Sequence, residues 1–337
     1  MNRKEILATK EFVLGKVNQC RILVVGDVML DKYYFGEVKR ISPEAPVPIT
    51  RVIRQKEALG GAANVAHNLS LLGCQTFLAG IVGDDIHCLS LETELKKEKI
   101  YAGGLIKTKR PTTTKLRVMG GHQQMLRLDF EENHALETEY EISLIQYISD
   151  LLKTGINCVI ISDYAKGVCT YSFCQQIIQL SAMHQVPVII DPKGDNWSKY
   201  KNADYLTPNL KELNEVLVES IINEDEAVKT SGQIVKRKFK IKNIIVTRSE
   251  RGLSLIGNRQ VVHIPTVAQE VFDVSGAGDT VIAVFGASIS AGLSPKVAAS
   301  LANIAAGIVV GKLGTYAVSQ EELLQKLEEL IRVEKGE

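Results

Sequence analysis

The sequence predicts an α/β fold built on a mostly parallel sheet with helices on both faces, and three observations predict it. Continuous apolar runs such as Arg21 to Gly26 and Cys158 to Ser162 lack the alternation of a half-solvated strand, so both faces of these strands should be buried. From Glu137 onward such runs alternate regularly with helical patterns, as crossover connections require. Polar residues follow the runs directly: Ser162-Asp163, Asp191-Pro192-Lys193, Thr207-Pro208-Asn209 and Thr247-Arg248-Ser249. In an open parallel sheet these exits share one edge, where ligands bind.

Composition narrows the class. A chain of 337 residues with 45% hydrophobic and 23% charged content can bury a proper core. Forty basic residues against 39 acidic ones leave no broad footprint for nucleic acid, so any anion must be bound locally. The six cysteines form no C-x-x-C pair and lie mostly in apolar runs, the pattern of buried free thiols in a reducing compartment. No secretory leader pattern opens the chain and no apolar run reaches membrane-spanning length, so a cytoplasmic protein is expected, without membrane or nucleic-acid partners.

Residues 1–19 read as a short lead-in helix, and 21–26 as the first buried strand, followed at once by Asp27 and then Asp31. Residues 33–53 carry Pro43, Pro46 and Pro48, which exclude a helix and predict extended edge strands projecting from the main sheet. The run Gly60-Gly61-Ala62-Ala63-Asn64 opens a helix to Leu72; its glycines permit a ligand close to the backbone, or simply tight packing of that helix on the sheet. A strand at 75–82 and a helix at 86–99 follow. Two alternating strands about Gly120-Gly121 place Lys115, Arg117 and Arg127 on one face if the turn keeps register. Helices at about 137–152, 170–183, 209–217 and 223–239 then alternate with strands at 158–162, 186–190, 205–206 and 243–247. A strand at 261–265, a small-residue helix from about Thr280 to Ala291, and helices at about 294–312 and 319–333 complete a single domain spanning 1–337.

The stretch Asp273-Val274-Ser275-Gly276-Ala277-Gly278-Asp279-Thr280 organises the chemistry. Gly276, Ala277 and Gly278 leave main-chain N–H groups uncrowded at a helix start, where the dipole favours an anion. Asp279 brings a carboxylate into that anion site, which suits a base deprotonating a hydroxyl while the backbone holds the phosphoryl group it attacks. A glycine-rich turn capped by an Asp is the plain alternative. Asn209 and Glu212, one turn apart at another helix start, suit a hydrated Mg²⁺ and its phosphates; the same spacing also satisfies a capping box. Neither a Walker A run nor G-x-G-x-x-G occurs.

These stretches resemble a known family. G-G-A-A-N-V-A (60–66) and D-V-S-G-A-G-D-T (273–280) resemble the two signatures of the ribokinase-like (PfkB) sugar kinases, and T-P-N-L-K-E (207–212) resembles their N-x-x-E element. More narrowly, V-G-D-V-M-L-D-K-Y (25–33), R-I-S-P-E-A-P-V-P (40–48), L-R-L-D-F-E (126–131), S-D-Y-A-K-G (162–167) and I-D-P-K-G (190–194) resemble the heptose 7-phosphate kinases of lipopolysaccharide core synthesis. Ala58-Leu59 before the glycine pair and Gly120-Gly121-His122 at the hairpin turn depart from that pattern.

The resemblance implies a three-layer sandwich with a β-rich lid at about 33–59 and 112–131 that pairs with a second subunit's lid. It implies transfer of the ATP γ-phosphoryl to O1 of D-glycero-D-manno-heptose 7-phosphate, with Mg²⁺. Asp279 would be the base and Gly276, Ala277 and Gly278 the anion hole. Asn209 and Glu212 would organise Mg²⁺ and the triphosphate, Thr247, Arg248 and Gly252 would flank the nucleotide, and Asn303 would lie near the adenine. Asp31, Gly60, Gly61 and Asn64 would hold sugar hydroxyls, and Lys193, Arg117, Arg127 and Lys166 are the cations for the distal phosphate. Some enzymes of this kind carry a C-terminal nucleotidyltransferase half with an H-x-G-H site, which none of the six histidines forms, so a separate adenylyltransferase is expected. The rival readings are a PfkB kinase for another sugar or sugar phosphate, and a non-catalytic nucleotide-binding regulator.

Overall fold

The structure is a computed structural model and describes residues 1–121, 123–258, 260–268, 270–312 and 314–335. His122 of the hairpin turn and the last two residues of the expected 1–337 span lie outside the described residues. In chain order the strands are β1 (Arg21–Gly26), β2 (Val28–Ile41), β3 (Pro48–Gly61), β4 (Gln75–Gly83), β5 (Tyr101–Thr108), β6 (Thr114–Gly120), β7 (Gln123–Phe130) and β8 (Cys158–Ser162). They continue as β9 (Val188–Asp191), β10 (Tyr205–Leu206), β11 (Asn243–Thr247), β12 (Leu253–Ile256) and β13 (Val261–Ile264). The helices are α1 (Arg3–Leu14), α2 (Ala62–Leu71), α3 (Ile86–Lys97), α4 (Thr138–Leu152), α5 (Tyr171–Met183), α6 (Leu210–Glu215), α7 (Asp225–Lys238), α8 (Ala277–Ser290), α9 (Pro295–Val309) and α10 (Gln320–Lys335).

Nine strands form the large sheet in the order β13-β12-β11-β10-β9-β8-β1-β4-β5, parallel from β5 to β11 and antiparallel at β12 and β13. Successive strand residues point to opposite faces. Ile22, Val24 and Ile160 therefore join the core under α2, α8 and α9, while Leu23, Val25 and Ile161 join the core under α4, α5 and α7. Each such side chain is worth about 1.5–3 kcal/mol when fully buried, which is why the runs are apolar on both faces. Small residues let α8 approach closely: a Cβ on Gly286 would come 2.8 Å from Ile160 Cδ1. Among the described residues no helix is long and apolar enough to cross a membrane.

Residues 33–53 belong to something larger than edge strands of the main sheet. β2 leaves β1 after Asp27 alone, pairs with β3 through Val28↔Gly61 to Ile41↔Pro48, and with β6 and β7 forms a separate four-stranded sheet ordered β3-β2-β6-β7. The glycine pair thus ends β3, and the helix begins at Ala62. β5 and β12 carry no clear sequence signal. In β5 the Gly103-Gly104 pair reads as a breaker, yet Gly104 makes room for the Tyr147 ring, whose Cε1 would lie 2.5 Å from any Cβ there.

Candidate active site

Asp279, the residue expected to act as base, stands at the start of α8. Gly276, the N-cap, has φ +80°, the left-handed conformation open to glycine, and no side chain caps the helix. Ala277 N–H bonds Val274 O, whereas the N–H groups of Gly278 and Asp279 have no partner among the described residues, as expected of a first turn. The helix begins three residues before Thr280, so Asp279 lies inside that turn and is buried. Asn64 Nδ2 donates to its Oδ2 at 2.6 Å and Tyr164 Oη donates to its Oδ1 at 2.8 Å. Burial raises the Asp279 carboxyl to about 6 from the usual 3.8; the two donors work against that rise and the nearby Asp31 adds to it. That value suits a group that is ionised at neutral pH and still willing to take a proton.

Four adjacent parallel strand ends complete the cleft, as the polar exits require. Its volume is about 150 Å³, and Asp163, Tyr164, Asp191, Lys193, Thr207, Asn209, Glu212, Thr247, Gly276, Gly278 and Asp279 line it. Asn209 and Glu212 form a complete capping box: Asn209 Oδ1 accepts from Glu212 N at 2.9 Å and Glu212 Oε2 accepts from Asn209 N at 3.0 Å. Lys193 Nζ donates to the remaining Glu212 oxygen at 2.9 Å. Asp191 sits beside this pair with its proton affinity well above the carboxylate range, first through burial and then through the charges of Glu212 and Asp279. Oxygen donors of like charge around one small cleft fit a hard, hydrated cation such as Mg²⁺, which needs few protein ligands.

The expected nucleotide residues separate. Thr247 lines the cleft and bridges to Asn209. Gly252 has φ +77°, and a Cβ there would come 2.1 Å from Ile264 O, so β12 enters only through glycine. The Arg248 guanidinium is buried and bonds Asn223, Asp225 and Ser254, so its charge is committed within the protein. Asn303 donates to Pro265 O at 2.7 Å, pinning the segment after β13.

The expected sugar-side residues are brought together more tightly than sequence foresaw. Asn64 is committed to the Asp279 carboxylate. The room left by Gly60 holds the Asp31 carboxylate, whose Oδ2 would lie 2.8 Å from a Cβ there, and Gly61 with φ +54° clears Asp27 O, so protein atoms use the close approach reserved for a ligand. Asp31 accepts from Arg117 Nη1 at 2.6 Å. The register does place Lys115, Arg117 and Arg127 on one face, since Arg117 pairs opposite Arg127 across a bulge beyond Val118. The four proposed phosphate cations nevertheless each hold a different carboxylate: Lys193 with Glu212, Arg117 with Asp31, Arg127 with Asp129 and Lys166 with Glu131. Lys115 ranges instead over the Tyr164 ring at 5.6 Å.

Sequence reasoning placed Asp27, Asp163 and Asp191 at the ligand-bearing edge without giving them a role, and it missed Tyr164. All four lie at or just beyond strand ends, which was the available signal. Asp163 accepts from Lys199 at 2.5 Å and Tyr200 at 2.6 Å; buried Asp27 accepts three main-chain N–H groups, and burial together with Asp163 raises its carboxyl to about 6.

Comparison with known proteins agrees with this geometry. The model of the pfkB family carbohydrate kinases matches residues 19–322. The chain is 44% identical over 312 residues to the bifunctional protein HldE of Methylobacillus flagellatus and 45% identical over 316 residues to that of Aliivibrio fischeri. Those matches cover 91% and 93% of this chain but 63% and 65% of the relatives, so the chain spans just under two thirds of their length. Its fold is similar to that of phosphofructokinase-2 from Escherichia coli, with TM-score 0.78 and 18% identity over 93% of this chain and 100% of that one. It is also similar to ribokinase from Arabidopsis thaliana complexed with ribose and ATP, with TM-score 0.72 and 19% identity over 92% and 99%. The expected ribokinase-like α/β architecture is therefore the observed one.

Proposed function

The chain belongs to the pfkB carbohydrate kinase family, and from that premise we propose that it transfers the γ-phosphoryl group of ATP to O1 of D-glycero-D-manno-heptose 7-phosphate. The observation that carries the reading is the buried Asp279 carboxylate, held at both oxygens beside the free N–H groups of the α8 start. The subfamily-specific stretches, from V-G-D-V-M-L-D-K-Y to I-D-P-K-G, and the similarity to the HldE proteins support the choice of sugar.

In this reading Asp279 takes the proton of the attacking hydroxyl, a contribution of about 10²–10⁴-fold. The N–H groups of Gly278 and Asp279 face the charge developing on the phosphoryl oxygens, with Gly276 and Ala277 shaping that hole. Asn209 and Glu212, with Asp191 beside them, would hold Mg²⁺, which when bound neutralises charge on the triphosphate. Thr247, the Arg248 backbone, Gly252 and Asn303 border the nucleotide side. Asp31 orients sugar hydroxyls, and Gly60, Gly61 and Asn64 keep Asp31 and the base in place. Lys193, Arg117, Lys166 and Arg127 are proposed for the 7-phosphate, each exchanging part of its present ion pair for the substrate. The four-stranded sheet would act as the lid, and its exposed Ile41, Val47 and Ile53 suit pairing with a second copy.

An ADP-release assay across sugars and sugar phosphates tests the proposal. The expected result is a clear preference for the heptose 7-phosphate. Preference for another sugar phosphate overturns the substrate and leaves the kinase, whereas no ADP release with any acceptor favours a nucleotide-binding regulator.

A further inference from the structure

We propose that Tyr164 is a positioning residue for the Asp279 base, an inference that rests on the kinase reading above. Its hydroxyl is one of two side-chain donors on that carboxylate; Asn64 from α2 grips one oxygen at 2.6 Å, and Tyr164 from the β8 exit grips the other at 2.8 Å. Packing alone would bury the ring without needing its hydroxyl on a charge.

The loop that carries Tyr164 is built to keep it there. Asp27, 2% exposed between β1 and β2, accepts the N–H groups of Tyr164 at 2.7 Å, Lys166 at 3.0 Å and Val168 at 3.3 Å. Three main-chain amides thus converge on one buried carboxylate. Ala165 at φ +56° and Gly167 at φ +94° turn the chain so that these amides point inward. A Cβ on Gly167 would come 1.9 Å from His134 O, so the turn is clamped from outside as well. Asp163 fixes the entry to the loop by accepting from Ala165 N at 2.7 Å, and it is itself held by Lys199 and Tyr200. A main chain fixed at this many points carries the phenol to the base without freedom to drift.

Both donors hydrogen-bond the ionised form of Asp279, which favours it. The charged and titratable groups facing Asp279 from its neighbours are Asp31 on β2, Lys115 on β6, Tyr164 at the β8 exit and Asp191 at the β9 end. Removing the phenolic donor leaves burial and Asp31 less opposed, so the base holds its proton to higher pH.

The test is Tyr164→Phe in the full chain, which keeps the ring. The acid limb of the kcat profile should move upward by about one pH unit, equivalent to a tenfold tighter proton. Turnover at pH 7 should fall by at least the roughly twofold that a one-unit rise from about 6 produces, with the KM for ATP unchanged. A second readout needs no turnover: ¹³C NMR titration of aspartate-labelled protein, with the Asp279 signal assigned by its loss in Asp279→Asn. An upward shift of that signal in Tyr164→Phe supports the proposal. An unmoved signal, or lower turnover with the acid limb in place, overturns it. Failure of the kinase reading shows separately, as absence of ADP release in the wild-type protein.

Discussion

Two helices begin at the same cleft with a carboxylate in their first turn, and they use it in opposite ways. At α6, Glu212 bends back to its own N-cap and closes a capping box with Asn209, three residues away. At α8, Asp279 caps nothing locally; its oxygens are held by Asn64 and Tyr164, 215 and 115 residues distant in sequence. The first arrangement stabilises its helix by about 0.5–2 kcal/mol. The second buries a charge and holds its proton affinity at about 6, a cost to the folded state. The difference separates a carboxylate that satisfies its own helix end from one that distant elements hold buried at a helix start.

The contrast is broken most severely at Asp279. Asp279→Asn should lower kcat at least about a hundredfold while ATP affinity, measured by calorimetry, stays nearly constant. Retained turnover would remove the base from the mechanism. The same variant should be the more stable protein at neutral pH. A carboxyl whose folded pKa is about 6 against the usual 3.8 binds its proton more tightly when folded. Its favourable contribution is therefore fully present below about pH 4 and lost as pH rises through about 6. Urea titrations should give Asp279→Asn an advantage of about 3 kcal/mol at pH 7 that closes by pH 4. An advantage that persists at pH 4 would show that ionisation is not its source.

Glu212 sharpens the comparison because its two uses come apart chemically. Glu212→Gln keeps an acceptor for the Asn209 N–H and should change stability by only a few tenths of a kcal/mol, whereas Glu212→Ala should lose about 1 kcal/mol. Both should raise the KM for the Mg²⁺–ATP pair by about tenfold, since each removes the charge. Urea midpoints and initial rates measure the two effects separately. Normal kinetics in Glu212→Gln would leave this carboxylate a helix cap alone.

How much of this was readable in advance follows the same division. Buried runs such as Cys158 to Ser162 and Asn243 to Thr247 are bounded by residues that cannot be buried unpaired, so their ends were legible to the residue. The Asn209 and Glu212 pair was legible because a cap is decided within four residues. Asp279 was singled out by its glycine-rich setting, and its burial at the start of α8 agrees with that setting. Tyr164 was not, because its partner lies in another element and only the parallel order of β8, β9 and β10 brings their exits together. The spent guanidinium of Arg248 was hidden for a like reason: Asn223 and Asp225 precede it by more than 20 residues and meet it only once α7 packs on the sheet. The β-rich lid at about 33–59 and 112–131 came from the family resemblance; residue pattern alone attached 33–53 to the main sheet, because β2 follows β1 after a single residue, with no linker to mark the change of sheet.

The smallest expected effect lies at Lys193, where the two halves of the cleft meet. Its ammonium holds Glu212 at 2.9 Å, yet it is 43% exposed at the side chain and lines the space that Asp279 faces. The proposed roles for a cation in that position are contact with the sugar's distal phosphate and charge balance at the nucleotide end. If the first role dominates, Lys193→Ala raises the KM for the sugar phosphate about tenfold and the KM for ATP by much less, and a substrate without the phosphate loses nothing. An equal rise in both constants would place Lys193 with Glu212 as part of the α6 end. The 7-phosphate would then fall to Arg117 and Lys166, the partly buried cations of the Asp31 and Glu131 pairs.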